Sequence, residues 1–276
     1  MIMCDKIFYQ GEIVEKNRFL ENLKYLGWSR TGIFITNKEI DFLKKNITEG
    51  FDYIYKKYKK EDLIFWNHQD ILKCMFKFEP EWIEFISSNW LNEIVNISLN
   101  DVAILYDVFG LNNTGEFSSN RASFHRDQLY LGRLRASVLI IIPLVDFTKE
   151  NGATEIVPGS HLIEEKPSQE FLEKNSLSLT GKSGEIIVLD ASVWHRAGLN
   201  LTKKERPSII IRYQLPFLKR NIDLCSVYEK ELINASELLK QRFGWNCREN
   251  TEIEDCYSEI KKFSLGQYQT KGLYNV

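Results

Sequence analysis

Hydrophobic and polar positions divide the chain into three stretches with different periods. In residues 17–26 the apolar side chains Phe19, Leu20, Leu23 and Leu26 recur at helical spacing, and Gly27-Trp28 ends the segment. Thr36 with Glu39 three residues on predicts a capped helix start, the helix then running through Phe42, Leu43 and Ile47. Pro80 suits the first turn of another helix over about 81–97. The first hundred residues therefore read as helical. Near residue 102 the pattern changes. Segments 102–106, 135–145, 184–189 and 208–215 are short runs rich in Val, Ile and Leu, separated by Gly, Pro and Asn turns. Residues 123–130 are of mixed character, and Ile156-Val157 follows a Gly turn. Such spacing predicts an all-β barrel or jelly roll. Helical spacing returns over about 226–263. The expected organisation is one domain over 1–276, mainly β, with a core at about 100–217 and helical flanks at 1–99 and 218–276.

Composition narrows the function classes. Hydrophobic residues make up 43% of the 276, enough for a sizeable core. Charged residues make up 27% with a formal net charge of −2, which speaks against a nucleic-acid partner. The cluster Lys56-Lys57-Tyr58-Lys59-Lys60 reads as a solvated helix face. The 5 cysteines, Cys4, Cys74, Cys225, Cys247 and Cys256, are scattered and never paired as CxxC. That argues against a disulfide framework or a thiolate zinc site and suits a cytoplasmic protein. No apolar run reaches signal-peptide or membrane-spanning length, so no membrane partner is expected.

With only 4 histidines, each can be weighed. His125-Arg126-Asp127 is an H-x-D triplet. On a strand, side chains two apart share a face, so both could reach one metal ion. His195, just past the run 184–189, could complete a set of two His and one carboxylate, which leaves coordination positions open for O₂ chemistry at iron(II). The triplet alone is weak, because chance supplies about half a match in a chain of this composition. A second copy, His68-Gln69-Asp70, lies in the helical third and reads as a cap or surface turn. A satisfied strand histidine remains the plain alternative for His125. Arg206 and Ser208 add weight. A guanidinium in a mostly apolar core calls for a carboxylate, and a hydroxyl two residues on shares its face. Together they suit the distal carboxylate of 2-oxoglutarate; the alternative is an exposed strand-end charge beside Lys203, Lys204 and Glu205.

From about Tyr106 to Phe217 the chain resembles the phytanoyl-CoA dioxygenase family of iron(II)/2-oxoglutarate oxygenases. The matching pieces are Phe124-His125-Arg126-Asp127-Gln128, Pro143-Leu144-Val145-Asp146, Glu150-Asn151-Gly152-Ala153-Thr154-Glu155, Val157-Pro158-Gly159-Ser160-His161, Gly184-Glu185, His195-Arg196-Ala197-Gly198-Leu199-Asn200 and Arg206-Pro207-Ser208. The resemblance implies a double-stranded β-helix (jelly-roll, cupin-like) core. It implies iron ligands at His125, Asp127 and His195, with O₂ and 2-oxoglutarate as co-substrates. Arg206 would clamp the distal carboxylate with Ser208, and Thr154 would hydrogen-bond the same molecule. Gln128 and Tyr130 are expected in the pocket wall, and Trp194 over the metal or in the core. Arg126 is expected on the opposite face of the H-x-D strand, and His161 on a structural loop or the pocket rim. Halogenases of this kind lack the carboxylate, so Asp127 implies hydroxylation, desaturation or cyclisation. The expected substrate is a small metabolite or natural-product intermediate, with 109–122 as a lid. An inactive jelly-roll binding protein and a zinc cupin-type hydrolase are the competing classes.

Overall fold

The computed structural model describes residues 16–75, 81–115, 122–202 and 204–249. The apolar run that opens at Val138 becomes β4 (Ser137–Pro143), buried at every position. A strand covered on both faces has no reason to alternate, which is why it reads as one hydrophobic stretch. It lies between β7 (Glu185–Asp190) and β9 (Arg206–Gln214), antiparallel to both. Beyond β9 comes β3 (Ile104–Asn113), then β2 (Ile71–Leu72); beyond β7 comes β1 (Trp28–Phe34). Among the described residues these strands make a six-stranded antiparallel sheet. A second sheet pairs β6 (Leu177–Ser178), β5 (Glu155–Ile156) and β8 (His195–Arg196). The sheets pack face to face as a jelly roll that is not closed into a barrel.

The helices cover the outer face of the large sheet. The capped helix α2 (Asn37–Lys57) starts as its sequence predicts, with Thr36 Oγ1 accepting from Glu39 N–H and the Glu39 carboxylate accepting from Thr36 N–H. Leu43 and Ile47 of α2 join Val138, Ile140, Ile209, Ile211 and Phe243 in one core that runs from Phe19 to the C-terminal helices. Alternate residues on the same strands, Leu139, Ile141, Ile187 and Leu189, point inward and pack on Phe147, Ile156 and Val193 between the sheets.

The helical reading of the first hundred residues needs correction at two places. The segment after α1 (Lys16–Tyr25) is not helical but forms β1, antiparallel to β7 at the sheet edge, and residues 71–72 form β2 at the other edge. Ser29 and Thr31, the buried positions of β1, are polar, so no apolar alternation announced a strand. The predicted helix 81–97 is two helices, α4 (Trp82–Ile86) and α5 (Asn89–Leu99); Asn92 Nδ2 donates to the carbonyls of Ile86 and Ser88 across the break. Pro80 lies outside the described residues, as do 116–121 of the proposed lid, whose beginning, 109–113, is the end of β3. The C-terminal helical prediction holds through α9 (Glu237–Phe243), and its continuation beyond 249 lies outside the described residues.

Candidate metal centre

Residues 123–130 form no regular strand. Their one anchor in the second sheet is a backbone bridge in which His125 and His195 exchange N–H···O=C bonds, both 2.9 Å. The bridge sets the two imidazoles side by side, ring centroids 4.4 Å apart. Each ring is oriented by its own chain: Nδ1 of His125 lies 2.9 Å from the Ser123 carbonyl and Nδ1 of His195 2.9 Å from that of Val193. With Nδ1–H donating there, Nε2 of each ring carries the free lone pair, the arrangement a metal-binding histidine needs. Asp127 is pinned by its N–H to the Ala191 carbonyl at 3.0 Å. Its oxygens stand 3.7 Å from His125 Nε2 and 3.9 Å from His195 Nε2. One ligand atom from each residue lies within 4.8 Å of the others. Burial holds the His195 imidazole below its ordinary pKa, with His125 and Arg212 adding to that and Asp127 opposing it.

These groups open into a cavity of about 520 Å³ that Arg206 and Thr154 also line. Alternation along β9 turns Arg206, Ser208, Ile210 and Arg212 to the inner face. Arg206 is 3% exposed, so the strand-end alternative for it fails. Its guanidinium stacks on Phe147 at 4.2 Å, and Nε and Nη1 donate to nothing among the described residues. Burial alone pulls its pKa down to about 10, so it is still charged at neutral pH. Two loops meet tightly beside it. A Cβ on Gly152 would lie 2.4 Å from the Gly198 carbonyl oxygen, and one on Gly198 2.3 Å from that of Ala153, so neither position has room for a side chain.

Gln128, Tyr130 and Trp194 are not among the residues lining the cavity. Gln128 is buried behind Asp127, with its N–H on the Ala191 carbonyl. Trp194 packs on Phe124, Val157 and Leu172, its ring 4.8 Å below the Arg126 guanidinium, which also stacks on Tyr130 at 5.7 Å. Arg126 points away from the metal ligands and donates to the carbonyls of Ser160, Ile163 and Glu164. His161 is buried with Nε2 3.1 Å from the Lys24 carbonyl, remote from the cavity lining. The reading from sequence missed the wall contributed by 66–73, including Trp66 and His68, and missed Tyr106 and Arg212. Arg212 was findable, since it repeats the inward phase of Arg206 along one strand.

Two bared imidazole nitrogens and a carboxylate, sharing a cavity with a buried guanidinium that has no acceptor among the described residues, fit a divalent ion and a dicarboxylate. Fold, donor set and relatives define an oxidoreductase of the iron- and 2-oxoglutarate-dependent dioxygenase class. The chain belongs to the phytanoyl-CoA dioxygenase family, whose profile matches residues 76–208. It is 30% identical over 199 residues to the uncharacterized protein Rv1501 of Mycobacterium tuberculosis, spanning 70% of this chain and 73% of that one. It is also 30% identical over 132 residues to the iron/alpha-ketoglutarate-dependent dioxygenase ausO of Aspergillus calidoustus, 43% of each chain. Among solved structures, EctD from S. alaskensis with 2-oxoglutarate and 5-hydroxyectoine superposes with a TM-score of 0.60 at 17% identity, covering 76% of this chain and 80% of that one. AviO1 from Streptomyces viridochromogenes Tue57 gives 0.57 at 17% identity, covering 76% and 99%. Among the described residues no helix is long and apolar enough to cross a membrane.

Proposed function

We propose that His125, Asp127 and His195 hold one iron(II), that Arg206 with Ser208 and Thr154 holds 2-oxoglutarate, and that the enzyme hydroxylates, desaturates or cyclises a small metabolite or natural-product intermediate. The observation that carries this reading is Arg206. A buried guanidinium is expensive unless a carboxylate completes it, and this one has no acceptor among the described residues and opens into the same cavity as the paired histidines. When bound, iron(II) supplies the O₂ chemistry that couples decarboxylation of 2-oxoglutarate to oxidation of the substrate.

The chain's own residues orient and exclude. The His125–His195 bridge fixes both rings before the metal arrives, so little reorganisation accompanies loading. Arg206 holds the far end of the co-substrate by a charge-assisted fork, while the Phe147 ring below it keeps water from competing. Thr154 lines the same cavity, and Ser208, which is not in its lining, shares the Arg206 face of β9. Asp127 would supply the carboxylate ligand that halogenases of this kind lack, which favours oxygenation. The β core and both helical flanks act as one domain, since one apolar cluster takes residues from Phe19 through Phe243. A zinc hydrolase would have no use for Arg206, and an inactive binder none for the full ligand set.

Purified protein given iron(II), ascorbate and 2-oxoglutarate is expected to form succinate, at least slowly without substrate, and His195→Ala to abolish it. Under anaerobic conditions iron(II) with 2-oxoglutarate should give a weak visible charge-transfer band that zinc does not. Failure to bind iron, together with no succinate across a range of substrates, would overturn the reading.

A further inference from the structure

Strand β9 turns two arginines into the cavity, and the reading above uses one. Arg206 and Arg212 share a pleat face, roughly 20 Å apart along the strand at ~3.3 Å per residue. The second is as firmly placed as the first. Its Nε donates to Ser137 Oγ at 3.0 Å, and its guanidinium stacks on the Tyr106 ring at 4.3 Å. Ser137 opens β4 opposite Gln214, so Arg212 stands toward the C-terminal end of β9, where β7 also ends and Asp127 is tethered. It is half-buried in the cavity wall. Among the described residues no carboxylate lies within ion-pair distance of it, and its two Nη groups donate to nothing.

The charges around it lead to the same place. With the metal and co-substrate bound as proposed, iron(II) and Arg206 are cancelled by Asp127 and the two carboxylates of 2-oxoglutarate. Arg196 is taken by Glu155 at 2.7 Å. Asp107 has Lys73 beside it, and Asp70 lies where the cavity adjoins the neighbouring cleft lined by Tyr55 and Leu63. Among the described residues lining the cavity, Arg212 is a cation without a carboxylate at ion-pair distance. Apolar side chains, Phe109, Ile210 and Ile222, line the cavity with it, beside Asn221, which hydrogen-bonds the Tyr106 hydroxyl.

We propose that Arg212 is the substrate anchor, and that the substrate is a monocarboxylic acid whose hydrocarbon body lies on this apolar wall. The inference rests on the functional reading above, because it assigns Arg206 to the co-substrate. One guanidinium edge with two free Nη groups matches one carboxylate in a bidentate fork. A phosphate monoester would bring a second charge, and among the described lining residues the other cations already have acid neighbours, Arg196 in Glu155 and Lys73 in Asp107.

The test is calorimetric binding to the iron(II)-loaded, 2-oxoglutarate-saturated protein kept anaerobic. The probes are straight-chain and aryl-substituted C4–C12 acids such as octanoate and 4-phenylbutyrate, their primary amides, and octyl phosphate. At least one acid is expected to bind about tenfold or more tightly than its amide. Arg212→Gln should remove that preference while amide affinity, 2-oxoglutarate affinity and thermal midpoint stay unchanged, and Arg212→Lys should keep part of it. Equal binding of acids and amides, no binding of any acid, a preference that survives Arg212→Gln, or tighter binding of octyl phosphate would overturn the proposal. So would loss of 2-oxoglutarate binding in Arg212→Gln, which would give this arginine to the co-substrate. If the wild-type protein takes up neither iron nor 2-oxoglutarate, the functional reading fails, while the same acid–amide comparison on metal-free protein still decides for or against Arg212.

Discussion

His68-Gln69-Asp70 and His125-Arg126-Asp127 share a pattern, and both reach the same cavity, yet they are held in different ways. The first sits in a turn between α3 (Lys60–Phe65) and β2. The His68 N–H closes on the Leu63 carbonyl, and the Asp70 carbonyl accepts from Asn112 N–H. The strand opposite β2 offers Gly110 and Leu111. The second triplet is bridged through its backbone to another histidine, and its aspartate is tied to Ala191. Among the described residues only the second gathers three ligand-bearing side chains. An H-x-D becomes a candidate metal site through what the facing strand carries, not through its own letters.

Substitutions can break this comparison at its strongest point first. His195→Ala removes the facing partner and should cost more than about 100-fold in iron(II) affinity, beyond the range seen for residues that merely support a ligand. Metal titration of the variant checks this, and retention of tight iron binding would dissolve the contrast between the triplets. Next comes Arg206→Met, which should move two observables in opposite directions. Affinity for 2-oxoglutarate should fall by about 30-fold or more, while the thermal midpoint of the ligand-free protein should rise because a buried charge is gone.

The third test concerns what holds the His68 segment to the sheet. The Asp107 carboxylate accepts from the N–H of Cys74, just beyond β2, at 3.0 Å, and from Val108 N–H at 2.7 Å. Burial pushes its pKa up from 3.8 to about 6. Between these values the folded state binds more protons than the unfolded one, so stability should fall as pH rises from about 4 to 6 and then level off, by at most roughly 3 kcal/mol. Urea midpoints across that range should show the slope in wild type and a flatter profile in Asp107→Asn. The smallest effect is expected at His68→Ala, which should leave iron affinity within about twofold. A larger loss would draw the first triplet into the metal site.

Much of this was legible in the sequence because local rules and burial agreed. The Thr36–Glu39 cap, the continuous apolar run of β4 and the Ile-rich β9 each follow from a pattern the fold does not override. The bridge between His125 and His195 was not legible, because it joins positions 70 apart through backbone groups that every residue carries. β1 was missed because its buried side chains are Ser29 and Thr31. The pocket wall from 66–73 was missed because edge pairing of β2, only two residues long, leaves no periodic trace. Gln128 and Tyr130 are expected in the pocket wall only through their nearness in sequence to the ligands, whereas for Trp194 the core alternative holds, its ring packing on Phe124, Val157 and Leu172. The chain bends after His125, and Arg126 draws Tyr130 and Trp194 into a separate stack.

If Arg206 holds 2-oxoglutarate as proposed, it also ties the stability of the protein to metabolism. Its guanidinium stacks on Phe147 but finds no acceptor among the described residues, and a ligand that completes it would stabilise the folded form in proportion to the logarithm of its concentration. A cell poor in keto-acids would then hold a softer, more readily degraded population of this protein, and a cell rich in them a harder one, without any dedicated regulator.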